Sequence, residues 1–447
     1  MTNTVRRSSL LGAVVWFGVA YGIAIVGYLV LNAAAGRLLG TDQFGYFVIA
    51  LTVSTLVGQI GLLGVHRAGL REAARLEETD FEGFRELRRG VRAVSLVTLP
   101  LVSLVSGVVT YLVSDAASLG ARVATAVGMS ALVLLGGQQK IWANYLRGLG
   151  QIRFASLLEG RSGGALVAVL QAALVVLVWR LAPDLGLAGA LGAAAVGYAI
   201  PVLLARERVV RLWRHLPVST PLLRDVRFVF ARDWRFASNQ VAVYLNSTLE
   251  LWLAGLILSR FDTSMFGAAQ RLAMLLVIPL TSLQTVFAPV VSRLIVRDDD
   301  NRLEPLLRTG ATLATLTTAV AWVPMLVAPG FLLTTVFGAS FGEAAPILVL
   351  LTLGNVANVF VGLCGTVLIM SHHEGVVASV QWGGVIARVI LGVAAAFLFG
   401  AVGLGATAAG VTVVVFGAMW LATRRIMGLS TQLTLHPNLT LIKRTSV

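Results

Sequence analysis

Apolar residues run along this chain in long blocks, not in the short alternations of a soluble fold. Stretches of about 20 apolar residues, the length a helix needs to cross hydrocarbon, fall at 10–34, 46–65, 93–113, 122–146, 162–181 and 186–205. Six more follow at 236–259, 266–292, 309–329, 344–370, 376–399 and 402–423. The pattern predicts an all-α polytopic membrane protein of about twelve transmembrane helices. Adjacent spans are hardest to separate in the Gly/Ala-rich pairs 162–205 and 376–423. The first run follows Arg6 and Arg7 and continues to about Ala35. That is too long for a signal-peptide core of about 7–15 residues, so it is expected to remain as the first span.

Composition supports this reading. Of 447 residues, 57% are hydrophobic and 13% are charged, about half the charged share of an ordinary soluble protein. The formal net charge of +14 would suggest nucleic acid in a soluble chain. Here the basic residues sort by side of the membrane. Of the 35 lysines and arginines, Arg37, Arg122, Arg180 and Arg260 fall in outer loops, and Lys140, Arg271 and Arg388 fall within spans. All the others lie in segments that are cytoplasmic if the N-terminus is inside. A bias of that size is a positive-inside signal. It predicts a multi-pass protein of the cytoplasmic (inner) membrane with both termini cytoplasmic. The charge then faces anionic membrane lipids, and no nucleic acid need be invoked.

Several function classes lose support. Cys364 is the single cysteine, so no intrachain disulfide can form. His66, His215, His372, His373 and His436 show no metal-ligand spacing, and neither a metal site nor a cofactor is expected. No Walker A sequence or nucleophile–base arrangement stands out, and Asp298-Asp299-Asp300 reads as a solvated cytoplasmic charge run. An enzyme is not expected.

The chain also reads as two halves. The longest hydrophilic stretch, 206–235, carries Pro217, Pro221 and a run of arginines and is expected as a cytoplasmic linker. It separates a six-helix bundle at 1–205 from a second at 236–425, with a cytoplasmic tail at 426–447. Phe44-Gly45 recurs as Phe266-Gly267, and Ala155-Ser156 as Ala378-Ser379, at nearly the same offset. An even number of spans per half gives both halves one orientation, hence a 6+6 repeat about an axis along the membrane normal. Transporters of that plan bind between halves and rock them. No filter-like re-entrant motif favours a channel.

The stretch Gly36-Arg37-Leu38-Leu39-Gly40-Thr41-Asp42-Gln43-Phe44-Gly45 resembles the opening signature of the polysaccharide (O-antigen and exopolysaccharide) flippases. These belong to the multidrug/oligosaccharidyl-lipid/polysaccharide (MOP) exporter superfamily. Gly64 to Arg71 is similar to the pattern after their second span. Phe266-Gly267-Ala268-Ala269-Gln270-Arg271-Leu272 resembles a motif opening span eight, with Phe266 in place of the usual Tyr. Pro279, Pro289 and Ser292-Arg293-Leu294 continue that likeness, and Phe337-Gly338 followed by Ala345-Pro346-Ile347-Leu348 resembles the loop into span ten. The resemblance implies a V-shaped transporter fold. It also implies a flippase that moves a polyprenyl pyrophosphate-linked glycan to the outer leaflet by alternating access, and polysaccharide polymerase machinery as a possible partner. The cargo's diphosphate would need a wet, cationic cavity.

Charged side chains within spans cost about 2.5–3.5 kcal/mol at mid-membrane, so each calls for a reason. Arg388, near the middle of span eleven, is expected to bind phosphate, with a structural ion pair as the plainer reading. Glu250 pairs with an arginine or carries a coupling proton. Arg271 and Lys140 lie near span ends, within snorkelling reach, and the resemblance favours Arg271 as a cavity residue. Arg37 closes span one as an anchor or a ligand. Uncharged polar residues form stripes: Asn239, Asn246 and Glu250 in span seven, and Tyr21, Tyr28 and Asn32 in span one, both at spacings of 7 and 4 that share a helical face. Gln59 belongs to a stripe on span two, and Asn355 and Asn358 mark span ten. Such residues are often only interhelical glue; as a set they suit sugar hydroxyls. The competing readings are a cation-coupled multidrug exporter of the same superfamily, which should carry cavity acids, and a membrane scaffold or polymerase partner.

Overall fold

The computed structural model describes residues 7–65, 81–114, 118–148, 151–158, 164–212, 223–297 and 299–437. Among these residues the regular secondary structure is all helical, with twelve long helical stretches in the order the apolar blocks predict. Arg7–Gly61 is two helices joined across a kink at Gly40, here α1 (7–39) and α2 (41–61). α3 covers 81–113, as Phe81–Ala93, a π-helical turn Val94–Thr98, and Leu99–Val113. α4 is Leu119–Gly148, α5 Ala165–Leu181, α6 Gly186–Leu212 and α7 Leu223–Ile257. α8 covers 260–296, with a 3₁₀ turn Met274–Val277 in its middle, and α9 is Asp300–Val327. α10 is Ala345–Val361, followed by a short helix Cys364–Met370. Glu374–Met427 is again a joined pair, kinked at Gly400: α11 (374–399) and α12 (401–427).

Among the described residues, eight helical segments are long and apolar enough to cross a membrane. Two of them, Val19–Gly61 and Glu374–Met427, hold two spans each. α5 is apolar but shorter, at 17 residues. α7 is long enough, but its apolar stretch is interrupted by Gln240, Asn246 and Glu250. The faces turned outward are apolar: Leu112, Val113, Leu256, Val320, Phe397 and Leu398 are each more than 70% exposed. In water such a surface would be untenable; in hydrocarbon it is what a multi-pass membrane protein presents.

The chain forms two compact units, Met1–Val241 and Ala242–Val447. The division falls inside α7. Of the expected linker, 206–212 close α6 and 223–235 open α7; residues 213–222 lie outside the described residues. The first turns of α7 are held within the first unit. Arg89 on α3 donates to Asp225 at 3.0 Å. The α7 backbone also passes so close to Gly64 that a Cβ there would lie 2.8 Å from the Asp233 carbonyl oxygen.

The first unit has its main core where Leu62, Leu87, Val91, Leu99, Ile141, Tyr145, Leu146 and Val229 interlock. In the second unit, Leu280, Phe287, Val291, Leu306 and Leu307 pack with Val359, Leu363 and Leu429. A neighbouring cluster joins Cys364, Leu368, Val411, Val415 and Met419. The expected tail is partly built into this unit. Residues 428–437 run as an extended strap, in which Thr431 is fully buried and Leu429 enters the core.

Candidate functional site

The second unit holds a buried ion pair where three helices meet. α7 carries Asn246 and Glu250 four residues apart, so both lie on one face. α11 carries Gln381 and Arg388 seven apart, again on one face. Where these faces meet, Arg388 forms an ion pair with Glu250. Its Nε donates to Asn246 Oδ1 at 3.0 Å, and its second amino group donates to Thr412 Oγ1 on α12 at 2.7 Å. Asn246 Nδ2 donates in turn to the Gln381 side-chain oxygen at 2.8 Å and to its backbone oxygen at 2.7 Å. Arg388 is 4% exposed and Glu250 2%.

This arrangement satisfies a charge that hydrocarbon would otherwise penalise heavily. Every branch of the guanidinium has an acceptor, and the amide of Asn246 links its two neighbours. Arg388, expected to face a cavity, is thus held in a pair. The α7 stripe continues to Asn239, half-buried, whose Oδ1 has no hydrogen-bond partner among the described residues.

A second polar group of this unit surrounds the 3₁₀ turn of α8. Pro279 removes one N–H just beyond that turn, and the local backbone finds partners in side chains. Asn355 on α10 donates to the Ala273 carbonyl at 2.8 Å. Thr318 on α9 donates to the Leu276 carbonyl at 3.0 Å. Arg271, 5% exposed, sits one turn before the switch, with Nη1 at 3.9 Å from Met274 Sδ. Gln270 beside it donates to the Ser247 carbonyl at 3.1 Å. Asn358, 6% exposed, keeps a buried Oδ1 without a partner among the described residues.

The remaining expected site residues lie in the first unit. Asn32 is 1% exposed. Its Nδ2 donates to the Tyr28 carbonyl at 2.8 Å, and its Oδ1 has no partner among the described residues. Gln59 on α2 likewise has a buried Oε1 with no partner among them. Tyr28 and Lys140 are half-buried and Arg37 is exposed. The Arg37 guanidinium stands 5.9 Å from the Trp179 ring centroid, over the same ring as Arg180. Arg67 and Arg71, of the likeness after span two, lie outside the described residues. Among the described residues no group of histidine, cysteine and acidic side chains could hold a metal ion.

Two residues of the central cluster escape a reading of charge alone. Gln381 could be found by its spacing of seven from Arg388 on the same apolar helix. Thr412 gives no such signal, because nothing in its local sequence separates it from the other hydroxyls of α12.

The arrangement of helices has known counterparts. An inward-facing multidrug resistance MATE family transporter of the MOP superfamily superposes with a TM-score of 0.65, at 14% identity, over 91% of this chain and 98% of that one. A mutant of the MATE transporter VcmN from Vibrio cholerae gives 0.61, at 13% identity, over 94% and 98%. A MOP superfamily transporter from Pyrococcus furiosus, described as having a binding pocket of reverse polarity that suggests a different function, gives 0.53, at 17% identity, over 93% and 95%. No protein-family model and no curated protein sequence matches the chain. At these identities the likeness defines the class by fold: this is a multi-pass membrane protein with the helical architecture of MATE transporters, in a 6+6 layout.

Proposed function

We propose that this protein is a flippase, not an enzyme, that carries a lipid-linked oligosaccharide with a polyprenyl diphosphate anchor across the cytoplasmic membrane, with both termini in the cytoplasm. The observation that carries this reading is the state of the acids. An exporter of cations needs a carboxylate available to its cargo. Among the described residues the fully buried carboxylates are Asp233 and Glu250, and they are paired with Arg232 and Arg388. Among the described residues the buried charges of the second unit are Glu250 against Arg271 and Arg388, a net positive interior suited to a diphosphate. The reverse-polarity pocket described for the Pyrococcus furiosus protein belongs to that protein, and it supports the idea that this fold admits cargoes of more than one charge.

In this reading Arg271 and Arg388 bind the diphosphate, with Glu250 holding Arg388 when no cargo is present. Asn239, Asn246, Asn355 and Asn358 offer amides to sugar hydroxyls. In the first unit Arg37, Lys140, Tyr28, Asn32 and Gln59 serve the same cargo. The multidrug-exporter reading rests on the fold likeness alone.

The test is complementation of a flippase-deficient strain, scoring surface glycan and the lipid-linked precursor left inside. Wild type should restore glycan, and Arg271→Ala at equal abundance should not. If wild type fails in several glycan backgrounds yet lowers accumulation of a cationic dye, the multidrug reading replaces this one.

A further inference from the structure

α10 ends at Val361, and its end is capped by residues far along the chain, Thr431 and Leu433. A helix leaves its last carbonyls without intrahelical donors, and in a membrane protein each needs another partner. At the end of α10 three of the last four oxygens can be followed. Val359 O accepts from the Gly362 N–H at 3.1 Å. Phe360 O accepts from the Leu433 N–H at 3.1 Å. Val361 O accepts from Thr431 Oγ1 at 2.8 Å. Two of these three donors belong to the strap at 428–437.

The strap is fastened on both flanks. Thr434 N donates to Thr312 Oγ1 on α9, and that hydroxyl lies 2.9 Å from the Thr434 carbonyl as well. Trp420 Nε1 on α12 donates to the Gln432 side chain at 2.9 Å. Gly362 turns the chain at φ 79°. A Cβ there would lie 2.4 Å from the Thr431 carbonyl oxygen and 2.9 Å from Ala311 Cβ. Beyond the turn, the helix Cys364–Met370 opens without a side-chain cap, and the first N–H groups of a helix have no intrahelical acceptor.

The two helix ends also fit each other. If Gly362 entered the right-handed helical region, Phe360 O and Val361 O would meet the N–H groups of Cys364 and Gly365, the ordinary i to i+4 partners. Glycine adopts either conformation readily. We propose that residues 428–437 form a conformational clasp: docked, they hold α10 broken at Gly362 by taking its terminal carbonyls; released, α10 and the helix Cys364–Met370 join into one. Asn355 and Asn358 lie on α10 within two turns of the break, so the clasp sets the state of the helix that carries them. This inference does not depend on the nature of the cargo.

Hydrogen exchange followed by mass spectrometry tests it on purified protein. The variants are a chain ending at Met427, Gly362→Ala, Thr431→Val, and a chain ending at Pro437 as control. Joining the helices gives the Cys364 and Gly365 amides carbonyl partners. Exchange across 363–368 should therefore slow by about tenfold or more in the first two variants. Thr431→Val should slow it less, and the control should match the full chain. Faster or unchanged exchange across 363–368 in monodisperse Gly362→Ala protein overturns the clasp, leaving the strap as packing only. Failure of both the shortened chain and Gly362→Ala to give monodisperse protein overturns it equally, since a released state must be folded.

Discussion

Gly384 on α11 faces Asn246 on α7 so closely that a Cβ added to it would stand 2.7 Å from the Asn246 side-chain oxygen and 2.5 Å from Val415 Cγ2. That oxygen is the acceptor for Arg388 Nε. The glycine therefore sets the distance at which the two helices can share the buried pair. Gly384→Ala should destabilise the second unit by about 1–3 kcal/mol through overpacking. It should also reduce transport more than its loss of thermal stability explains, because Asn246 must move away from Arg388. Melting of the purified protein and a transport assay at matched abundance, compared with Gly383→Ala, check this. Gly383 has open space around its missing Cβ, so its alanine variant should melt close to wild type.

The ion pair itself predicts a non-additive pattern. Removing one partner leaves a buried charge without its counterion, at a cost of about 3–5 kcal/mol, while replacing both by apolar residues of similar volume is often neutral. Arg388→Met and Glu250→Leu should each lower the melting temperature and the yield of monodisperse protein. The double variant should recover most of both. If it melts no higher than the singles, the pair does not hold the unit together in the way its geometry indicates. Activity separates a second issue: a stable double variant that still moves cargo would remove Arg388 from the proposed diphosphate site.

Much of the fold was legible because hydrocarbon imposes one rule along the whole chain. The twelve apolar blocks fall in order on twelve long helical stretches, including the Gly/Ala-rich pair 376–423, where Gly400 marks the turn, but the block 344–370 is divided at Gly362 into α10 and the helix Cys364–Met370. The Asn246–Glu250 stripe was legible because helical spacing puts both on one face. Their partner Arg388 was visible as a costly charge, though its pairing was not, since spacing along α7 says nothing about which face of α11 meets it. The clasp was not legible at all. Leu433 and Phe360 are joined by a backbone hydrogen bond, and backbone groups carry no sequence signal. The hydrophilic look of 426–447 suggested a solvated tail, yet Thr431 is fully buried, its hydroxyl satisfied by a carbonyl.

The two sharp turns between joined helices offer a clean backbone experiment. Gly40 has φ 60° and ψ −164°, and Gly400 has φ 60° and ψ −147°. That region is open essentially to glycine alone and costs other residues about 1–3 kcal/mol. At both positions nothing lies within 4 Å of where a Cβ would be. Any effect of Gly40→Ala or Gly400→Ala is therefore conformational, not steric crowding by a neighbour. Each should lower stability by about that amount, measured by thermal unfolding in detergent. Alanine at Gly22, which has equally open surroundings but lies inside α1 with no positive φ, should be neutral or slightly stabilising. Equal effects at all three positions would argue against strain as the cause.

The π-helical turn of α3 yields the last prediction, a coupling between residues on different helices. Leu99 N donates to Val94 O, five residues back. In that register the next carbonyl, Ser95 O, would accept from residue 100, but Pro100 has no N–H to give. Gln138 on α4 supplies the donor instead, with Nε2 at 3.3 Å from Ser95 O. Thr98 Oγ1 ties the same turn to the Gly61 carbonyl on α2 at 2.7 Å. Gln138→Leu should therefore leave a buried carbonyl unsatisfied and cost about 1–3 kcal/mol. Pro100→Ala restores an N–H where Ser95 O needs one, so in that background Gln138→Leu should cost much less. A double-mutant cycle on unfolding free energy should show a coupling of about 1 kcal/mol or more, within the range for residues of one hydrogen-bond network. Simple additivity would mean that Gln138 is not the donor that compensates for Pro100, and that another group satisfies Ser95 O.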